Sequence, residues 1–529
     1  MKQFRKTATA TALLLAGINT ACAATDVFFN PLTQSAAVAQ VPNHVNELNS
    51  PWQVPAGVSY RNLTNLHKIE TAGGQSSVRV PGLGSNASMT DMSAFDPTGR
   101  FIFLPHETQC GAGLTRYDMK TDEAINLFHG DEAGCNVSPD WSEDFGALDP
   151  ATWTPVDTLL VAEEWSGQGR MFEVMNPMAD VAGGETMEVN ELNSIPNVSH
   201  EGLRFNHAGT ALYFVDEDHS GSIYKFVPSI KGDYTQGQTF VLSVDAFDGD
   251  PSAAGKDQPN RTGLAHWVAM TDANGNALTI NDPFINEFTN TYLDAGGNEI
   301  SFGVDSHGNP ILKRHGRIAA DEIGGTPYDR PEDVEVGYVK NGNEVLYFNA
   351  TTAHRVFSVE ELGNGEAMVR LAADPNTPKN LGYAGTTGSI SSPDNLAQDA
   401  LGNIYVVEDK PNGDNIGGDV WFLRDTDSDG VAESLDHFMS LQVKGAENTG
   451  MIFRPGHPTQ FIINVQHPES TADEINSQGD STWLIDLKDV VAPPCVKEEH
   501  GHHHHHHKVK TCSDSDDVNF IKKLIKAGK

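Results

Sequence analysis

The chain alternates short apolar runs with polar, glycine-bearing turns, and it does so in one repeated order. Residues 200–218, HEGLRFNHAGTALYFVDED, carry acid near both ends, Glu201 at the start and Asp216 to Asp218 at the close. Between the acids lie a turn signal, Asn206 to Gly209, and an apolar run, Ala211 to Val215. That order predicts a β-hairpin, which returns its two ends to one edge of a sheet. It recurs in DMSAFDPTGRFIFLPHET from Asp91, RPEDVEVGYVKNGNEVLYFNAT from Arg330, SPDNLAQDALGNIYVVEDK from Asp394 to Glu408-Asp409, and GAENTGMIFRPGHPTQFIINVQHPE from Glu447 to around His467 and Glu469. A sixth stretch, VDTLLVAEEWSGQGRMFEV, shows only the second half and closes its apolar strand on Glu163 and Glu164.

The apolar strands end near residues 104, 161, 215, 348, 407 and 464, so most steps are 50 to 60 residues. The step from 215 to 348 is roughly double and is expected to hold a blade with an insertion. A period of this size with several short strands per unit predicts an all-β protein, a six-bladed β-propeller. Continuous runs such as FIFL, ALYFV and NIYVV suit strands buried on both faces. Equivalent positions of successive blades form a ring around the channel, so the recurring acids are expected to meet on one face of the disc. Glu107, Asp216, Glu217, Asp394 and Glu408 belong to that expected ring, as candidate metal ligands, with Asp91 and Glu447 as leading acids of their units. Asp and Asn also favour turns for local reasons, which is the plainer account of any one of them.

Charge sharpens this picture. The chain has 529 residues with Lys+Arg 35 against Asp+Glu 72, a formal charge of −37. Such a surface repels phosphate backbones and argues against nucleic-acid binding, while it suits a protein that holds cations. Gly 50 and Pro 28 agree with many strands joined by turns.

The first 26 residues carry Lys2, Arg5 and Lys6, then an apolar stretch, then Ala21-Cys22-Ala23. They read as a secretory signal peptide over 1–23, followed by a propeller over 24–490 and a Cys/His-rich tail over 491–529 with a short helix. No later run is apolar and long enough to span a bilayer as a helix, so a periplasmic or secreted monomer is expected. Cys110, Cys135, Cys495 and Cys512 remain after cleavage; an even count in an exported chain suggests disulfides, with the pairing open.

Several stretches, SHEGLRFNHAGTALYFVDED with SIYKFVP, RPEDVEV, SSPDNLAQDALGNIYVVED and FIINVQHPE, resemble the PhoX-type alkaline phosphatases, from about Val54 to Glu469. Gln466-His467-Pro468 and Arg330-Pro331-Glu332 are the most specific parts. The resemblance implies a secreted propeller phosphomonoesterase with several calcium ions and a pair of irons at the channel mouth. It would make Glu201, Glu332 and one of Glu163 and Glu164 metal ligands, and Arg330, with Glu332, the catalytic pair, Arg330 clamping the phosphate of a small phosphate ester. Physical chemistry agrees: clustered carboxylates are tolerable around a hard cation, and a guanidinium matches phosphate with two donors. Alternatively, Arg330 salt-bridges a neighbouring carboxylate.

Two departures stand out. Ala162 occupies the place of the cysteine that the family places before the acidic pair as an iron ligand, which argues against iron. The leader also lacks twin arginines, which fits Sec export. A non-catalytic calcium-binding propeller and a phytase-like or lactonase-like propeller hydrolase are the alternatives.

Asp425, Asp427, Asp429, Glu433 and Asp436 have EF-hand-like spacing around Gly430, which predicts a structural calcium loop; an acidic hairpin turn is the alternative. The tract HGHHHHHHKVK from His500 suits loose transition-metal binding. The tail SDSDDVNFIKKLIKAGK has acids first and lysines last, the order of a capped helix, and is expected to dock on the domain. No P-loop, nucleophile elbow or dinucleotide fingerprint is present.

Overall fold

The computed structural model describes residues 27–38, 44–66, 68–69, 91–136, 140–165, 169–253, 258–284, 315–409, 415–469, 479–491 and 519–528. The signal segment 1–23, the histidine tract, Cys495 and Cys512 lie outside them.

The strands form four-stranded antiparallel meanders, each ordered from the axis outward. The first blade is Ala94–Phe95, Phe101–Pro105, Gly113–Asp118 and Glu123–His129; the second is Leu148–Trp153, Leu159–Glu163, Met171–Val174 and Val189–Glu191. The third is His200–Phe205, Leu212–Asp216, Ile223–Ile230 and Asp233–Val244; the fourth is Pro331–Tyr338, Glu344–Ala350, Arg355–Gly363 and Glu366–Ala373. The fifth is Pro393–Gln398, Ile404–Glu408, Asp419–Arg424 and Ser434–Leu441, with Trp52–Gln53 added outside. The sixth is Glu447–Phe453, Gln460–Gln466 and Ser481–Asp486, completed by Ser59–Asn65 from the other end of the chain. That last pairing, Arg61 opposite Leu484, closes the ring without leaving an open seam.

Hydrophobic burial explains why the blades stack. Side chains alternate across a strand, so Leu212 and Phe214 pack toward the second blade while Tyr213 and Val215 pack toward the fourth. The same division sends Tyr405 and Val407 to the sixth blade and Ile404 and Val406 to the fourth. Apolar layers of this kind lie between every consecutive pair, including the sixth with the first through Ile462, Leu484, Phe95 and Ile102. The molecule is a β-propeller.

The turn of the opening hairpin forms as its sequence dictates. Asn206 Oδ1 accepts from the Thr210 and Ala211 amides, and Gly209 takes φ 61, a conformation that suits glycine.

The double-length step holds no further four-stranded unit among the described residues. It carries the strand Gly263–Ala269, which bridges the outer strands of the third and fourth blades into one nine-stranded sheet, and the helix His315–Glu322. The tail helix Asn519–Ala527 docks on the disc: Leu524 is buried and Ile521 packs against the layer between blades five and six. Cys110 and Cys135 form a disulfide. No helix among the described residues is long and apolar enough to cross a membrane.

Candidate metal centre

Four first strands slip register at the same place, near the channel mouth. The slips fall between Leu148 and Ala151, His200 and Leu203, Pro331 and Val334, and Pro393 and Leu396. In each, the residue that opens the bulge is an acid: Asp149, Glu201, Glu332 and Asp394. A bulge frees a residue from the ladder and re-aims its side chain, and here it brings acids of different blades together. Asp91, Glu201 and Asp394 offer carboxylate oxygens within 4.8 Å of one another, as do Asp91, Glu107 and Asp149, and Asp149, Glu164 and Glu201. The groups share members, so they form one cluster fed by four blades. The sixth blade adds an amide, with Gln466 Nε2 donating to Glu107 Oε2 at 2.5 Å.

Asp149 was absent from the sequence expectation, because LDPATW has no leading turn or apolar run. Its signal was spacing: Asp149 precedes Glu163 by 14 residues, as Asp394 precedes Glu408.

The closing pairs divide, which corrects part of the expected ligand set. In an extended strand consecutive side chains face opposite ways, so Glu163 and Glu164 do not share an environment. Glu163 accepts from Arg170 Nε (2.8 Å) and Nη2 (2.6 Å) and from the Gly146 and Arg170 amides. Asp216 is bound by Arg317 through Nε (2.6 Å) and Nη2 (2.5 Å) and accepts the Ser199 amide. Glu408 accepts from Trp421 Nε1 and from the Ser391 and Asp419 amides. Glu163, Asp216 and Glu408 are therefore structural carboxyl groups whose oxygens are already engaged, and they leave the candidate ligand set. Their neighbours Glu164 and Glu217 remain at the mouth with Glu107, and Asp409 and Glu447 stand close by.

Arg330 lies over this cluster, 27% exposed. Its Nε donates to Glu217 Oε1 at 2.5 Å, Nη2 pairs with the same carboxylate, and Nη2 stands 3.3 Å from Glu332 Oε1. The salt-bridging alternative for Arg330 is thus what the structure shows. Asp329 and Arg330 have φ 64 and 62. Non-glycine residues held there cost on the order of 1–3 kcal/mol each and persist only where the surroundings fix them. Those surroundings are the Arg330 amide on Asp218 O, the Thr351 amide on Arg330 O, and His219 Nδ1 at 2.9 Å from Asp329 Oδ1.

The electrostatics describe a site short of positive charge. Burial first, then mutual repulsion, pushes Asp91, Asp149, Glu164, Glu201, Glu332 and Asp394 well above the usual carboxylate range, and Glu447 up to about 11. Asp91 Oδ1, Asp149 Oδ1 and Glu201 Oε2 are buried without a hydrogen bond, a rare state for polar atoms. Orphaned, all-oxygen donors in one cluster fit a hard divalent cation such as calcium. They do not fit iron held by a thiolate. Ala162 is buried in the apolar layer with Leu160 and Met171 between blades two and three, not among the acids.

The EF-hand-like loop assembles in part. Asp425, Asp427 and Glu433 share a cluster, whereas Asp429 caps the Val431 amide and Asp436 pairs with Arg424 Nε at 2.9 Å. Asp436 falls on the strand Ser434–Leu441, whose register sets it near Arg424, so it leaves the loop set. The loop joins the third and fourth strands of the fifth blade, on the face opposite the mouth.

Among solved structures the chain resembles a gluconolactonase from Xanthomonas campestris (10% identity, TM-score 0.35, covering 87% of this chain and 97% of that one). It also resembles the calcium-binding protein regucalcin from Agrobacterium tumefaciens (13%, 0.35, 74% and 88%) and a periplasmic gluconolactonase from Pseudomonas aeruginosa (12%, 0.35, 75% and 88%). These likenesses are too distant to transfer a site or an activity. No curated protein matches the chain. The family described as Alkaline phosphatase PhoX matches residues 120–469, which include the bulge acids Asp149, Glu201, Glu332 and Asp394 together with Arg330, and the chain belongs to that family.

Proposed function

We propose that the protein is an exported, calcium-dependent phosphomonoesterase whose site is the acidic mouth. The observation that carries the reading is the join of two opposites: orphaned buried carboxylates in a cluster, and a half-open guanidinium held over them. Asp91, Glu107, Asp149, Glu164, Glu201, Glu332 and Asp394 would hold the cations. Bound there, calcium supplies Lewis acidity toward a phosphoryl group. The carboxylates alone repel a phosphate dianion, so substrate enters only a cation-loaded mouth. Arg330 then binds and orients the ester through its planar donors. Glu217 and Glu332, which grip the guanidinium from two sides, fix the direction in which those donors point.

One observation favours the rival of a calcium propeller without catalysis, namely that Arg330 is closed onto two carboxylates. The test gives the calcium-loaded protein an aryl phosphate and, separately, an aldonolactone. Phosphate release without lactone opening supports the proposal; lactone opening alone replaces it with a lactonase; neither leaves the binding propeller.

A further inference from the structure

Residues 245–330 separate the last strand of the third blade from the first strand of the fourth, and among the described residues they form no further four-stranded unit. Their helix, His315–Glu322, comes back against the third blade so closely that a Cβ on Gly316 would stand 2.3 Å from Asn197 O. The next residue, Arg317, is only 2% exposed. Its guanidinium takes both oxygens of Asp216, at 2.5 and 2.6 Å, and reaches Asp218 Oδ2 with Nη1 at 2.7 Å.

Glu217 lies between those two aspartates and faces the other way, onto Arg330. The same three residues organise the mouth through backbone and side-chain bonds. The Glu217 amide donates to Ser199 O, two residues before Glu201, and Asp216 Oδ1 accepts the Ser199 amide. The Arg330 amide donates to Asp218 O, one of the bonds that hold Asp329 and Arg330 at positive φ. A buried ion pair that served only stability has no need to touch both neighbours of Glu217.

We propose that Arg317 is a positioning residue for the mouth: by fixing Asp216 and Asp218 it holds Glu217 and Arg330 in the geometry that receives an oxyanion. The proposal rests on Arg330 as the phosphate-binding group. Arg317 acts at one remove from the substrate. The repeated scaffold supplies the acids, and the insertion supplies the clamp that orders them. A lysine at 317 keeps the charge but gathers its donors on one nitrogen, where the planar fork spreads them over two aspartates.

The test compares Arg317→Lys and Arg317→Gln with Arg424→Lys. Arg424 pairs with buried Asp436 away from the mouth, so it reports what loss of a buried pair does to stability alone. All three variants are expected to lower the thermal midpoint. Only the Arg317 variants are expected to raise KM for an aryl phosphate and the inhibition constant of inorganic phosphate, by about tenfold or more, with kcat far less affected. Arg317→Lys should recover part of that loss. Unchanged KM in folded Arg317→Lys, or an equal rise in Arg424→Lys, overturns the proposal while leaving the phosphatase reading intact. If the Arg317 variants do not fold, Asp218→Asn, at a residue 22% exposed, cuts one arm of the same link and is read the same way. If the wild type turns over no phosphate ester, the functional reading fails by itself. Calorimetry with inorganic phosphate on the calcium-loaded protein then decides: no binding by wild type, or equal binding by Arg317→Lys, overturns the positioning role as well.

Discussion

Glu163 and Glu164 are adjacent, identical in chemistry, and expected to respond in opposite ways to the same change. Glu163 is fully buried and accepts four hydrogen bonds, two of them from the guanidinium of Arg170, itself 8% exposed. Glu163→Gln keeps the shape but removes the nearest counter-charge of Arg170 in the interior, with Glu191 Oε2 standing farther off, 4.0 Å from Nη1. Breaking a buried pair from one side costs about 3–5 kcal/mol, and Arg170 Nη1 and Nη2 on Trp141 O and Asp144 O soften that only in part. Glu164 has acids around it, within 4.8 Å of Asp149 and Glu201 oxygens. Two carboxylates at that distance repel by roughly 3 kcal/mol at an effective dielectric constant near 20. Burial has already raised all three groups, so part of that repulsion is relieved by protonation. Glu164→Gln is therefore expected to leave the calcium-free protein equally or more stable while weakening calcium binding. Chemical denaturation of chelated protein and calorimetric calcium titration read the two effects separately. Weakened calcium affinity in Glu163→Gln with unchanged stability, or marked destabilisation of chelated Glu164→Gln, would refute the division of the closing pairs between structure and mouth.

Two more outcomes are expected. Since the mouth acids, and Asp321 and Asp333 at about 7, have folded-state values above their unfolded ones, the chelated fold holds protons that the unfolded chain releases. Its stability is thus greatest near pH 4 and falls as pH rises through 7, by about 1.4 kcal/mol per pH unit for each retained proton; saturating calcium should flatten that slope, as denaturation at several pH values would show. Asp425→Asn with Asp427→Asn, in the loop on the opposite face, should lower the thermal midpoint in calcium and leave kcat and KM for an aryl phosphate unchanged in steady-state assays; a change in either constant would contradict the placement of that loop.

What the sequence disclosed, and what it hid, follows from how far each feature reaches along the chain. The hairpin was legible because Asn206, Gly209 and the run to Val215 act within a dozen residues. The alternation that separates Glu163 from Glu164 was legible too, since a period of two cannot put both on one side. Closure of the sixth blade by Ser59–Asn65 was not, because its partner Ser481–Asp486 stands at the other end of the chain. Arg317 was hidden for a different reason: it sits in an insertion outside the repeat and acts through side chains of another blade. Nor does Arg330 announce its positive φ, which the surrounding hydrogen bonds impose. Asp436 misled through local spacing, because a strand register overrode the loop pattern.

The central claim is that the acid cluster serves phosphate ester hydrolysis through bound calcium. Its most direct test is phosphate release from an aryl phosphate at alkaline pH by the protein, first after chelation and then after calcium is restored, with Glu332→Ala alongside. The account predicts no release from chelated protein, recovery with calcium, and little or none in Glu332→Ala. Release that survives chelation, or a Glu332→Ala variant as active as wild type, would contradict it.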